Sequence, residues 1–136
     1  MAFFTKREIG RLYVIRMTLP DGVVVHKIGM CNSDRAVDRM MEILRSWFTR
    51  FRYIPHTVLK LDMNTGYPKE LESHIHAILK HKQYIPHMKV EGRTEMFTGI
   101  DEFRVIHYLK AFNEDLFPLK PLTTTDYKHL GQLISP

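Results

Sequence analysis

The sequence predicts a small α/β domain of the α+β type: a three-stranded, mainly antiparallel sheet flanked by helices. Two β-rich runs, residues 12 to 18 and 23 to 29, are joined by Leu19-Pro20-Asp21-Gly22, a sequence with strong hairpin chemistry. A third β-rich run spans His56 to Met63, and apolar residues recur at helical spacing in the segments that follow the second and third runs. A chain of 136 residues that is 44% hydrophobic suits one domain with one modest core.

The hairpin fixes which side chains share a face, because strand side chains alternate and a one-residue slip inverts them all. If Pro20, Asp21 and Gly22 form a three-residue loop with Gly22 left-handed, Tyr13 lies opposite Gly29 and Ile15 opposite Lys27. Tyr13, Lys27 and Gly29 then share one face. A loop of two or four residues would separate Tyr13 from Lys27.

Asn32-Ser33-Asp34 offers N-cap candidates for a first helix to about Phe48, with Val37, Met40, Met41, Leu44 and Phe48 as its apolar stripe. Arg35, Arg39 and Glu42 fall away from that stripe, toward solvent or a cleft. After the third strand Asn64-Thr65-Gly66 reads as a turn, and Pro68 suits the first turn of a second helix whose Leu71, Ile75, Ile78 and Leu79 face inward. Glu72 and His76, four apart, are neighbours beside that face. His74 and His76 look like a metal pair, but a spacing of two on a helix turns them roughly 200° apart, so they do not chelate one ion. Phe97 falls in a short final strand segment. Asp101 to about Leu116 reads as a third helix with Val105, Leu109 and Phe112 inward. Residues 1–117 are thus one domain, and 118–136, with its prolines and threonines, an extended or partly ordered C-terminal tail.

Composition narrows the function classes. A net charge of +5 and a pI near 9.4 favour a polyanionic partner. Cys31 is the only cysteine, which excludes an intramolecular disulfide and a cysteine-rich zinc site and fits a reducing cytoplasm. No apolar run reaches the roughly 18 residues of a membrane span, and the Met1-Ala2-Phe3-Phe4-Thr5-Lys6 start lacks a signal-peptide core. Trp47-Phe48-Thr49-Arg50-Phe51-Arg52-Tyr53 interleaves aromatics with arginines, a composition that stacks bases and holds phosphates. Arg35, Arg45, Arg50 and Arg52 are therefore candidate contacts to a nucleic-acid backbone.

In order along the chain, Tyr13, Lys27-Ile28-Gly29, Arg39 and Glu72 resemble the motifs of the GIY-YIG nuclease superfamily. The likeness is nearest the branch, common in phage and bacterial genomes, that writes its second motif as KIG. It covers about residues 11 to 98, where Glu72-Ser73-His74-Ile75-His76 resembles that branch's Leu-Glu-x-x-x-His helix and Gly92-Arg93-Thr94-Glu95-Met96-Phe97 its closing Arg-x-Glu-x-Phe segment. The resemblance implies a DNA endonuclease of phage or mobile-element origin that uses Mg²⁺ or Mn²⁺. RNA is not excluded as substrate. It further implies low sequence specificity or a targeting protein partner, since so small a domain has little surface for base readout.

The chemistry asks for these residue types. Phosphodiester hydrolysis needs an activated water, charge neutralisation on the phosphoryl oxygens and a stabilised leaving oxygen. Glu72 is the candidate metal ligand and Arg39 the candidate phosphate clamp, its rigid fork suited to two oxygens. Tyr13 is the base or water-orienting group, with Lys27 beside it, or Lys27 is itself the base. His76 is placed to reach the same site. Two other functions fit the sequence: a GIY-YIG-like module that grips nucleic acid without cutting it, and a small protein-interaction or inhibitor protein.

Overall fold

The computed structural model describes residues 10–32, 36–115 and 122–136. Strands β1 (Gly10–Thr18), β2 (Val24–Asn32), β3 (His56–Thr65) and β4 (Met96–Thr98) form one antiparallel sheet in the order β3-β1-β2-β4. The sheet has four strands rather than the expected three, because the short segment around Phe97 pairs with Val25–Lys27 and extends the β2 edge. Helices α1 (Ala36–Phe51), α2 (Pro68–Ile78), α3 (Glu102–Asp115) and α4 (Thr124–Ile134) complete the fold. Among the described residues no helix is long and apolar enough to cross a membrane.

The β1–β2 hairpin has the register expected of a three-residue loop. Gly22 is left-handed at φ 88°, and the Leu19 and Gly22 amides donate to the Val23 and Leu19 carbonyls at 2.9 Å. Tyr13 pairs with Gly29 and Ile15 with Lys27. β1 is one of the two inner strands, and its Leu12-Tyr13-Val14-Ile15 run is fully buried on both faces. A register shift between Val14 and Ile15 leaves Lys60 of β3 without a Cα partner in β1.

The sheet separates two apolar layers. Leu12, Val14, Ile28, Leu61 and Phe97 pack with Leu71, Ile75 and Ile78 of α2, Val105 and Leu109 of α3 and Ile134 of α4. On the opposite face Tyr13, Ile15, Met17, Val25 and Met96 pack with Ala36, Ile43 and Trp47 of α1 and with Val90.

Two expectations need correction. The buried stripe of α1 is Ala36, Met40, Ile43, Trp47 and Phe51, whereas Val37, Met41 and Phe48 are about half exposed. The helix carries two adjacent apolar stripes. The sheet takes the one that buries Trp47, whose indole stacks on Phe51 at 4.8 Å and leans on Tyr53. The C-terminal segment, expected as an extended or partly ordered tail, contains a helix: residues 124–134 form α4. Thr123 and Asp126 make a reciprocal capping box, and Tyr127, Leu130 and Ile134 dock on the α2–α3 layer. Of the N-cap candidates for α1, Ser33 and Asp34 lie outside the described residues, as does Arg35.

Candidate functional site

The hairpin register brings the first three candidates together. Lys27 Nζ donates to the Tyr13 hydroxyl at 3.0 Å and lies 5.0 Å from the centre of its ring. Gly29 is the platform under this pair: a Cβ there would stand 2.6 Å from the Tyr13 oxygen. Lys27 also forms a short ion pair with Glu95. Gly92, left-handed at φ 71°, is pressed against the lysine stem, with space for a Cβ taken by Lys27. Tyr13 and Lys27 are fully buried as a result, while Glu95 keeps part of its surface in solvent.

Helix α1 supplies Arg39 from the edge of its buried stripe, one turn after Ala36. Its Nη1 donates to Glu42 at 3.1 Å and forms an ion pair with Glu91 at 3.0 Å, and Tyr13 is near enough to act on its charge. Burial alone would lower its pKa, but Glu42, Tyr13 and Glu91 hold it above the ordinary value.

Glu72 enters from α2. Burial, with the neighbouring Glu95 acting in the same direction, pushes its pKa up to about 7. Lys27, a hydrogen bond from the Met30 backbone and Arg39 oppose that rise without cancelling it. Tyr13, Lys27, Arg39 and Glu72, separated by up to 59 positions (72 − 13) in sequence, therefore form one cluster.

His76 reaches the cluster's border rather than its centre. The Ile28 carbonyl can only accept, so His76 Nε2–H donates to it at 2.6 Å, while the ring packs on Phe97. That proton is not available to a phosphate, and His76 anchors α2 to β2 one turn beyond Glu72. His74 points the other way, as the helical geometry requires: it stacks on Phe112 at 4.2 Å and bonds the Tyr108 hydroxyl at 2.8 Å.

Arg45 and Arg50 line a groove of about 700 Å³ between α1 and residues 89–92, together with Arg39, Glu42, Ser46, Thr49, Lys89 and Glu91. Arg52 is not among the lining residues; it takes a left-handed backbone at φ 64° just past the end of α1. Sequence reasoning missed Glu91 and Lys89 altogether, and it placed Glu95 in a motif without a partner. An acidic residue three positions after a left-handed Gly92 was the available signal for a turn that returns a carboxylate to the hairpin.

The donor set bears on a metal. Among the described residues no group of three or more His, Cys, Asp or Glu side chains is arranged to hold an ion. Glu72 is a partly buried carboxyl whose ionisation is resisted at neutral pH by burial and by Glu95. Glu72, with Glu95 near enough to raise its pKa, is not the multi-ligand donor set of a zinc site. Comparison of the chain with protein-family models, with curated proteins and with solved structures found no match.

Proposed function

We propose that the chain is a GIY-YIG-like, metal-dependent endonuclease that hydrolyses DNA phosphodiester bonds. The convergence of Tyr13, Lys27, Arg39 and Glu72, from two strands and two helices, carries this reading. Hydrolysis forms a bond from a water oxygen to phosphorus and breaks the bond to the leaving oxygen, with negative charge growing on the phosphoryl group. Glu72 would hold a Mg²⁺-class ion, which would supply counter-charge to the phosphoryl and leaving oxygens.

The chain's own residues do the rest. Arg39 exchanges Glu91 for a non-bridging phosphate oxygen, a trade of one charge-assisted partner for another. Lys27 donates to both Tyr13 and Glu95, so it serves as a fixed ammonium and not as the base. Tyr13, its oxygen held by the Lys27 ammonium, acts as phenolate and takes the proton of the attacking water as the water oxygen bonds to phosphorus, while the leaving oxygen takes a proton from solvent.

One observation favours a second reading, a nucleic-acid-binding module that does not cut. Tyr13 and Lys27 are sealed from solvent, and Glu42, Glu91 and Glu95 answer the charges of Arg39 and Lys27. Supercoiled plasmid incubated with Mg²⁺ or Mn²⁺ separates the two. Nicking or linearisation that is lost with EDTA, with Glu72→Gln and with Arg39→Ala supports the nuclease. Binding of DNA or RNA without cleavage, by a folded protein and with either metal, supports the module.

A further inference from the structure

The cluster explains where a phosphate would be cut, but not how a polymer is led to it. The groove beside Arg39 does. On α1 the residues Arg39, Glu42, Ser46 and Arg50 recur every three or four positions and so share one face, next to the stripe that packs on the sheet. Across from them runs the segment containing Lys89, Glu91 and Gly92. Ser46 ties the two walls together, donating to the Ile43 carbonyl at 2.8 Å and accepting from the Glu91 amide at 3.0 Å.

The charges in this groove are unequal in kind. Both carboxylates, Glu42 and Glu91, are engaged by Arg39 at the end that meets Tyr13. Among the described residues Arg45, Arg50 and Lys89 have no carboxylate partner, and all three are exposed. The six charged lining residues, four basic and two acidic, leave a net of +2 in one concave surface. Arg16 and Lys60, on the opposite side of the sheet, are paired with Glu102. From Arg39 to Arg50 the groove follows α1 for about 16 Å, which matches four to five phosphates at the roughly 3.4 Å axial spacing of a stacked strand.

We propose that this groove is a track for the phosphodiester backbone of one nucleic-acid strand, delivering it to Arg39 and the catalytic cluster. The proposal rests on the nuclease reading and deepens it: Arg45, Arg50 and Lys89 hold the strand, and Glu91 is the carboxylate that an arriving phosphate displaces from Arg39. Base identity plays no part in these contacts, so the track is indifferent to sequence.

Fluorescence anisotropy with labelled single-stranded DNA and RNA, in EDTA to prevent cleavage, tests it across a salt series. The combined variant Arg45→Gln/Arg50→Gln/Lys89→Gln is compared with wild type, with Glu91→Gln, and with the charge-matched control Lys69→Gln/Lys110→Gln/Lys128→Gln, whose positions are exposed and outside the groove. The groove variant is expected to bind about 10- to 100-fold more weakly at low salt, with a salt slope smaller by about 2, while the control stays within about threefold of wild type and Glu91→Gln binds more tightly. Equal losses in the groove variant and the control, or wild-type affinity in the groove variant, would overturn the track and leave the nuclease reading standing. Absence of binding by wild type to DNA and RNA alike would overturn both. Plasmid cleavage by wild type adds an independent axis: a groove role raises KM in the combined variant and leaves kcat near its starting value.

Discussion

Gly29 shows how much a single position carries. Its missing side chain is the space in which Tyr13 and Lys27 meet, and an added methyl would fall 2.6 Å from the Tyr13 oxygen. Gly29→Ala is therefore expected to cost about 1–3 kcal/mol through overpacking and to separate the tyrosine from the lysine. Urea denaturation and plasmid cleavage check this; an alanine variant with wild-type stability and cleavage would remove Gly29 from the site. Glu72 makes the complementary prediction. Its folded pKa is raised, so its contribution to stability is fully present below the unfolded value of 4.5 and is lost as pH rises through about 7. At pH 8 without divalent cations Glu72→Gln should be the more stable protein, by about 1–2 kcal/mol after allowance for partial exposure. Mg²⁺ or Mn²⁺ should raise the Tm of wild type and leave the variant unmoved, because only the carboxylate gains from the ion. A variant less stable than wild type at pH 8 would contradict the strained carboxyl.

At the scale of elements, α1 separates what the sequence reveals from what it conceals. The hairpin was legible because one turn type fixes the register, and the register alone places Tyr13 beside Lys27. The inward face of α2 was legible because Leu71, Ile75, Ile78 and Leu79 form a single stripe with polar neighbours. α1 offers two apolar stripes, and helical period cannot choose between them. The choice is made by the partners of Trp47, Phe51 and Tyr53, which lie across a turn and outside any one helical window. The same limit hid Glu91, which reaches Arg39 over 52 positions (91 − 39) from a segment with no repeating pattern. α4 was less legible for another reason: the prolines before it signal extended chain, although Thr123 and Asp126 form a capping box that the sequence does contain. The α1 correction has a direct consequence. Trp47→Ala should cost about 3–5 kcal/mol as a core truncation, whereas Phe48→Ser should stay within about 0.5 kcal/mol of wild type as a surface change. Comparable losses at the two positions, measured by urea denaturation, would restore the stripe read from periodicity.

For the molecule as a whole, the layering of helices on both faces of the sheet buries imidazoles, and this sets the acid limit of the fold. His74 is sandwiched between α2 and the aromatic residues of α3 and α4, and burial drives its pKa from 6.5 down to about 4. Burial also lowers His26 and His76, against the raising influence of Glu102 on the first and of the Ile28 carbonyl on the second. The sign follows from which state binds protons. Between pH 6.5 and 4 the unfolded chain takes up a proton at His74 that the folded chain refuses, so stability is complete above 6.5 and declines as pH falls toward 4. A shift of this size is worth about 3 kcal/mol for His74 alone, with His26 and His76 adding to it. Glu72 acts oppositely in the same range, because its folded form holds a proton that the unfolded form releases above 4.5. Wild type should consequently lose stability only gently between pH 7 and 5. Glu72→Gln, stripped of the opposing group, should lose it steeply. His74→Phe keeps the stacked ring and removes the titration, and it should be flatter than wild type. Urea denaturation of the three proteins at half-unit intervals across this range gives the order of slopes. A wild type that falls more steeply than Glu72→Gln would mean that the buried carboxyl and the buried imidazoles do not oppose one another as their positions on the sheet dictate.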